Sequence, residues 1–412
     1  MTRNIPGNVP DPEDLYGRET LLDHLWRTIA SNNILLLAPR RFGKTGVMRH
    51  VLKQPHHGYL PIYFDLEDVD SPHEFVWRVV REVLAQDRLR SLLQSARGLP
   101  GAIRNWVKDT FDEMEFDGAR LKFREDIAGD WRNVARRLLL ELEKAGPTLV
   151  FIFDELPAML DKVRHASSDD EARSFMAWFR SVRMQQQDEL RRHRFLVGGS
   201  TGLDLILRRL SATDTLNDFA RIYVEPLTRE EAVRLVGDLG RSSGIGMPEA
   251  LVDPLLALIG PPVPYFIHLL FSQLDQLPPH QRQLLTYDAM EATYRERVLG
   301  PACKRYFDHY ETRLARYGKP VERAAVAVLS AIAEAPLERV GATALYETYR
   351  RARGRDADER EFDELLADLE CDWYVVLDRT TNEYRFMLSV MRDWWRRWHG
   401  VRRRSGRREG KS

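Results

Sequence analysis

Eight consecutive residues carry the strongest chemical signal in the chain: Ala38, Pro39, Arg40, Arg41, Phe42, Gly43, Lys44 and Thr45. A glycine, a lysine and a hydroxyl residue in succession, set between an apolar run and a helix-forming run, suit the binding of a phosphate chain. The loop supplies backbone N–H groups and the helix start a favourable dipole. Gly43 permits the turn, Lys44 reaches the outer phosphates, and Thr45 offers a hydroxyl to magnesium. Gly46 follows in the helix, which makes 39–46 the candidate phosphate-binding residues. The usual pattern opens on glycine, and Ala38 stands there instead; a methyl fits if the backbone φ is negative. The plainer reading is a lysine capping an ordinary strand-to-helix turn, which leaves the order strand, loop, helix without a purpose.

Asp154 and Glu155 form the second candidate group, at the end of the run LVFIF. An acid beside the phosphate loop can hold magnesium through water, and the next acid can orient and activate an attacking water. Thr45 and Asp154 are therefore candidate metal ligands and Glu155 a candidate catalytic base. Any parallel strand can end in acids at its wet edge. The pairing with the loop is what favours phosphoryl transfer.

Four short apolar runs must position these groups: NNILLLA before the loop, YLPIYFDL, TLVFIFDE and RFLVGGS. Segments long enough for crossover helices separate them, the pattern of a wound α/β sheet with buried parallel strands. Before the first strand, Leu21, Leu22, Leu25, Trp26 and Ile29 have helical spacing. The polar stretch 88–130 reads as an insertion on the sheet, with a small hairpin in MEFDGARLKF. After Leu227 the chain turns helical, and Thr228 and Glu231 stand in capping-box spacing at its start. Near Pro320 a third unit begins: a helix to about Glu334, one over 342–353, one from Asp358 to about Glu370, then two strands around a polar turn in WYVVLDRTTNEYRF. Three helices and a hairpin describe a winged helix. The expected organisation is a phosphate-binding core over 1–226, a helical lid over 227–318, a winged helix over 319–400 and a basic tail over 401–412.

Composition limits the other possibilities. The 412 residues carry 62 basic and 62 acidic side chains, so the chain as a whole has no electrostatic commitment to nucleic acid or anionic lipid. No apolar run approaches the roughly 20 residues of a membrane span. The start of the chain lacks the pattern of a signal or transit peptide, so a cytoplasmic protein is expected. Cys303 and Cys371 lie far apart, and neither a disulfide nor a structural zinc site is expected.

With these motifs in place, the chain resembles P-loop ATPases of the AAA+/STAND type, especially prokaryotic ATPases with a C-terminal winged helix that are similar to origin-recognition initiators. The resemblance covers most of the chain. It rests on LYGRE (15–19), PRRFGKT, FIFDELP, FLVGGS, ARIYVEPLTREEA (220–232) and GPPVPYF (260–266). It implies an α/β P-loop fold with a helical lid, with ATP and magnesium as ligands. By resemblance, Tyr16, Gly17 and Arg18 border the adenine, Ser200 senses the γ-phosphate, and Pro264 belongs to a lid motif facing the nucleotide. The alternatives are a staple residue at Tyr16 and a turn former at Ser200. The lid motif lacks the second-sensor arginine of the broader family, and His268 reads as core packing. Arg221 is a candidate trans-acting finger, which would neutralise developing phosphoryl charge; an ordinary surface arginine is the preferred alternative.

The winged-helix region has a split charge. Nine acids lie between Asp356 and Asp372 against Arg360 alone, so the third helix should be repelled by a major groove. Basic residues gather instead at Arg350, Arg351, Arg353 and Arg355 and in the last 21 residues. Trp394, Trp395 and Trp398 are read as buried packing rather than stacking platforms. The expected partner is thus a protein, or a second copy, met through lid and winged helix, with DNA disfavoured. The function expected is that of a slow magnesium-dependent ATPase. The alternatives are an initiator-like or transposition-associated DNA-binding ATPase and a nucleotide-stabilised scaffold without turnover.

Overall fold

The computed structural model describes residues 3–7, 9–86, 111–115, 120–123, 131–144, 148–185, 193–199 and 202–400. The chain divides into two compact units: one holds 18–38 and 44–224, the other 1–17, 39–43 and 225–412. The division cuts the phosphate loop between Gly43 and Lys44. Residues 227–318 and 319–400, read from the sequence as a lid and a winged helix, fall within one unit.

The first unit is built on seven described strands, the inner ones of its main sheet apolar on both faces. The seven are β1 (Asn33–Leu37), β2 (Tyr59–Asp65), the pair β3 (Phe111–Glu115) and β4 (Arg120–Phe123), then β5 (Thr148–Asp154), β6 (Arg194–Gly199) and β7 (Phe219–Tyr223). Five of them form one parallel sheet in the order β2-β5-β6-β1-β7. In β5 every residue from Leu149 to Asp154 is buried, as expected of an inner parallel strand covered on both faces. β3 and β4 pair antiparallel, which is the hairpin expected in the insertion. β7 was not legible as a strand: its burial alternates, with Arg221 and Tyr223 exposed at the sheet edge. Helices including Pro72–Ala85, Trp131–Lys144, Leu156–Ala166 and Asp169–Gln185 contribute to the core. Aromatic rings dominate there, with Phe75, Phe151, Phe153, Phe175, Phe179 and Phe195 in mutual contact. Burying each such ring stabilises by roughly 2 to 3 kcal/mol.

This order fixes the site. β6 lies between β5, which ends in Asp154, and β1, which leads to the phosphate loop. Groups from the two strands that flank β6 can meet only across its carboxyl end, which closes in Gly198 and Gly199.

The second unit is mainly helical. Helix Arg229–Ser243 opens with the expected capping box, Thr228 accepting from the Glu231 N–H and Glu231 from the Thr228 N–H. Such a cap is worth about 1 kcal/mol. Toward the C-terminus come helix Lys319–Glu334, β8 (Val340–Gly341), helices Ala342–Arg353 and Glu359–Cys371, then β9 (Val375–Asp378) and β10 (Glu383–Phe386). The three strands pair antiparallel in the order β8-β10-β9. Helix Ser389–His399 buries Trp394 and Trp395 as expected, whereas Trp398 is only half-buried and donates to Leu299 O at 2.9 Å. Among the described residues, no single helix is long and apolar enough to cross a membrane.

Candidate nucleotide site

Lys44 opens helix Lys44–Lys53 and is buried, as is Asp154. Lys44 Nζ lies 3.2 Å from Asp154 Oδ1 and 3.3 Å from Glu155 Oε1. Thr45 donates its hydroxyl to Asp154 Oδ2 at 2.8 Å. Tyr63, on β2, donates to the same oxygen at 3.1 Å. The Glu155 N–H donates to Asp154 Oδ1 at 3.0 Å. The Asp154 carboxylate is therefore surrounded by donors on both oxygens, which is what a buried charge requires.

The electrostatics agree. Burial alone would lower the Lys44 pKa, but the charges of Asp154 and Glu155 outweigh it and hold the ammonium above its ordinary value. Burial would raise the Asp154 pKa; Lys44, Thr45 and Tyr63 overcome that and hold the carboxyl below its usual range. Burial, then the Asp154 charge, pushes the Tyr63 phenol well up, so it stays a donor. The ion pair stands ionised at neutral pH.

Two further features shape this cluster. Glu155 sits in the left-handed region at φ 59°, which turns its side chain out of the strand direction. Holding a non-glycine residue there costs about 1 kcal/mol. A Cβ at Gly198 would lie 2.6 Å from Met48 Cε and 2.7 Å from Asp154 Oδ1. The missing side chain is what lets Asp154 and the Lys44 helix approach across β6.

In the second unit, the segment 39–43 has Arg41 at φ 76° and Gly43 at φ 93°, with Phe42 between them outside that region. Alternation of left- and right-handed backbone is the conformation of anion-binding nests, and Arg41 and Gly43 supply two left-handed positions for one. The Arg41 guanidinium lies 4.9 Å from the centre of the Tyr265 ring and its Nη1 donates to Gly7 O at 3.5 Å. Tyr265 follows Pro264, which begins helix Pro264–Leu274, so the GPPVPYF motif does reach the phosphate loop. Tyr310 donates to Arg40 O at 3.4 Å. Pro39 and Phe42 are buried, and Arg40 is exposed.

Tyr16 donates to Asp238 Oδ2 at 3.1 Å, which ties the lead-in to helix Arg229–Ser243, and Gly17 packs beside Leu227. Arg18 is buried at the start of helix Glu19–Ile29. Gly46 is buried within the Lys44 helix. Arg221 is held in a two-pronged ion pair with Asp204, at 3.0 and 3.1 Å. Ser200 and 401–412 lie outside the described residues. His268 is buried, and burial pushes its pKa down to about 4. Two residues of the cluster carried no signal in the sequence as site residues. Tyr63 is one of several aromatics in an apolar strand, and Gly198 showed itself only as half of a glycine pair.

A parallel sheet with a phosphate loop after β1 and an acid pair after a strand two places away defines the α/β P-loop fold of AAA+ ATPases. Two solved structures of similar fold span nearly the whole chain. The Walker-type ATPase PABY2304 of Pyrococcus abyssi matches with a TM-score of 0.62 at 18% identity, covering 94% of this chain and 97% of that one. The Aeropyrum pernix ORC2 protein, in ADPNP-ADP complexes, matches with a TM-score of 0.55 at 14% identity, covering 98% and 96%. No protein-family model and no curated protein sequence matches the chain.

Proposed function

We propose that the chain is a magnesium-dependent ATPase of slow turnover whose nucleotide state controls its lid (227–318) and a winged helix (319–400). The observation that carries this reading is the Asp154 carboxylate, which joins the Thr45 hydroxyl and the Lys44 ammonium in one buried cluster. The ADPNP-ADP complexes of the ORC2 protein support an adenine nucleotide as ligand.

Thr45 Oγ1 and Asp154 Oδ2, 2.8 Å apart, are hard oxygen donors on one side of the loop. That donor set fits magnesium, which is held by one or two protein oxygens together with substrate phosphates and water. Magnesium there would neutralise charge on the β- and γ-phosphates. Lys44, now paired with the two acids, transfers its hydrogen bonds to the phosphates. That exchange releases Glu155, whose left-handed backbone and part-exposed carboxylate suit it to take a proton from the attacking water. Tyr63 holds Asp154 in place throughout. Arg221 acts only if a second copy presents it, because it must first leave Asp204.

The expected partner is a protein or a second copy of the chain in the cytoplasm. The nine acids between Asp356 and Asp372 weigh against DNA at that helix. The test is turnover by phosphate release together with calorimetric binding for wild type, Lys44→Ala and Glu155→Gln. Lys44→Ala should weaken ATP binding at least tenfold, and Glu155→Gln should bind but not hydrolyse. Equal affinity of wild type and Lys44→Ala would reject the assignment. Wild-type binding without turnover would leave the scaffold reading in its place.

A further inference from the structure

Three residues of interest share an unusual backbone. Arg41 and Glu155 have positive φ, and the third is Trp373, at φ 61°. A bulky residue is a rare occupant of that region, and such outliers persist only where the surroundings enforce them. The enforcement is visible here. On one side of Trp373, Asp372 is buried, pairs with Arg313 and Arg316, and accepts from Tyr317 at 3.2 Å. On the other, Tyr374 is buried and donates to Tyr310 O at 2.6 Å. Trp373 is thus pinned from both neighbours at the corner between helix Glu359–Cys371 and β9.

Its ring meets the ring of Phe42 edge to face, with centroids 4.9 Å apart. Phe42 is 2% exposed and sits between Arg41 and Gly43, the two left-handed residues of the nest. Tyr310, which receives the Tyr374 hydrogen bond on its carbonyl, donates its own hydroxyl to Arg40 O. The corner therefore grips the phosphate loop through two neighbouring residues. Both contacts lie within the same compact unit.

We propose that Trp373 is a positioning residue for the phosphate loop: by packing on Phe42 it pre-forms the nest, so that nucleotide affinity and the state of the helix–strand corner are one linked equilibrium. The proposal rests on the nucleotide-binding reading and adds to it the route by which the C-terminal region is coupled. A loop already in its binding conformation loses less freedom when the ligand arrives. Reciprocity follows: whatever moves the corner changes nucleotide affinity, and nucleotide stabilises the corner by the same factor.

The test is calorimetric titration with Mg-ADP of the full chain and four variants: Trp373→Ala, Trp373→Phe, Phe42→Ala and the double alanine variant. Trp373→Ala and Phe42→Ala should each weaken binding about fivefold, equivalent to roughly 1 kcal/mol. The double variant should be no weaker than either single one, because both remove the same contact. Trp373→Phe should bind within twofold of wild type. If the alanine variants fail to fold, the comparison of wild type with Trp373→Phe still decides the matter. Mg-ADP should change the tryptophan emission of the wild type, and the part from Trp373 should vanish in Trp373→Phe. Unchanged affinity, additive losses in the double variant, or an identical emission change in wild type and Trp373→Phe would each overturn the proposal while leaving nucleotide binding intact. A wild type that binds no Mg-ADP would overturn the nucleotide reading and the coupling with it.

Discussion

Gly198→Ala isolates the way in which β6 makes room for the site. The added methyl would stand 2.6 Å from Met48 Cε, 3.2 Å from Met48 Sδ and 2.7 Å from Asp154 Oδ1. Met48 can swing its end, although it is fully buried; the carboxylate is held by Lys44, Thr45, Tyr63 and the Glu155 N–H. To reach ordinary contact near 3.4 Å, the carboxylate must retreat by about 0.7 Å. A shift of that size directed along the 2.8 Å bond from Thr45 stretches it to about 3.5 Å, well past the usual 2.5–3.0 Å of a hydroxyl–oxygen bond, and so weakens it. Overpacking of this kind costs about 1 to 3 kcal/mol, and disturbing a group that orients a metal ligand lowers activity about 10- to 100-fold. Gly199→Ala is the matched control, because its methyl would meet leucine methyl groups and no carboxylate: Leu37 at 3.0 Å, Leu203 at 3.1 Å and Leu35 at 3.4 Å. Thermal unfolding and phosphate release against magnesium concentration should show both variants destabilised, with only Gly198→Ala shifted in magnesium dependence. A Gly198→Ala protein with the wild-type melting temperature, turnover and magnesium dependence would refute the argument.

Other consequences are open to direct measurement. Tyr63→Phe removes one donor from Asp154 and should cost about 1 kcal/mol of stability and raise the magnesium concentration needed for half-maximal turnover; unchanged magnesium dependence would exclude Tyr63 from the cluster. His268 has a folded pKa of about 4 against 6.5 unfolded, so the unfolded chain takes up the proton first. Its contribution is full above pH 6.5 and is lost as pH falls toward 4, by about 3 kcal/mol, visible as a falling urea midpoint that flattens in His268→Gln. Asp154 is held below its ordinary pKa, so its ion pair stabilises above about pH 4 and is lost only in stronger acid. Arg221→Ala should lower turnover with little loss of binding, and only at protein concentrations where copies associate; a turnover number independent of concentration rules out its action in trans.

Much of the molecule was legible because its signals are local. The order strand, phosphate loop, helix can be read from 33–53, since apolar runs, glycine and the lysine–threonine pair are neighbours in sequence. The capping box at Thr228 and Glu231 and the helices Ala342–Arg353 and Glu359–Cys371 follow from periodicity and caps within a few residues. Asp154 and Glu155 announced themselves at the end of an apolar strand. What the tertiary structure alone decided is what crosses the sheet or closes long loops. The alternating exposure of β7 belongs to an edge, and nothing local says which strand is the edge. Placing β6 between β5 and β1 turns Gly198 from an unremarkable strand residue into the gap through which Asp154 meets Thr45. Tyr63 gains its partner from an adjacent strand, and Trp373 meets Phe42 across more than three hundred residues of chain. Sequence periodicity records which face of an element is buried; it does not record what that face is buried against, because that depends on the packing of the whole fold.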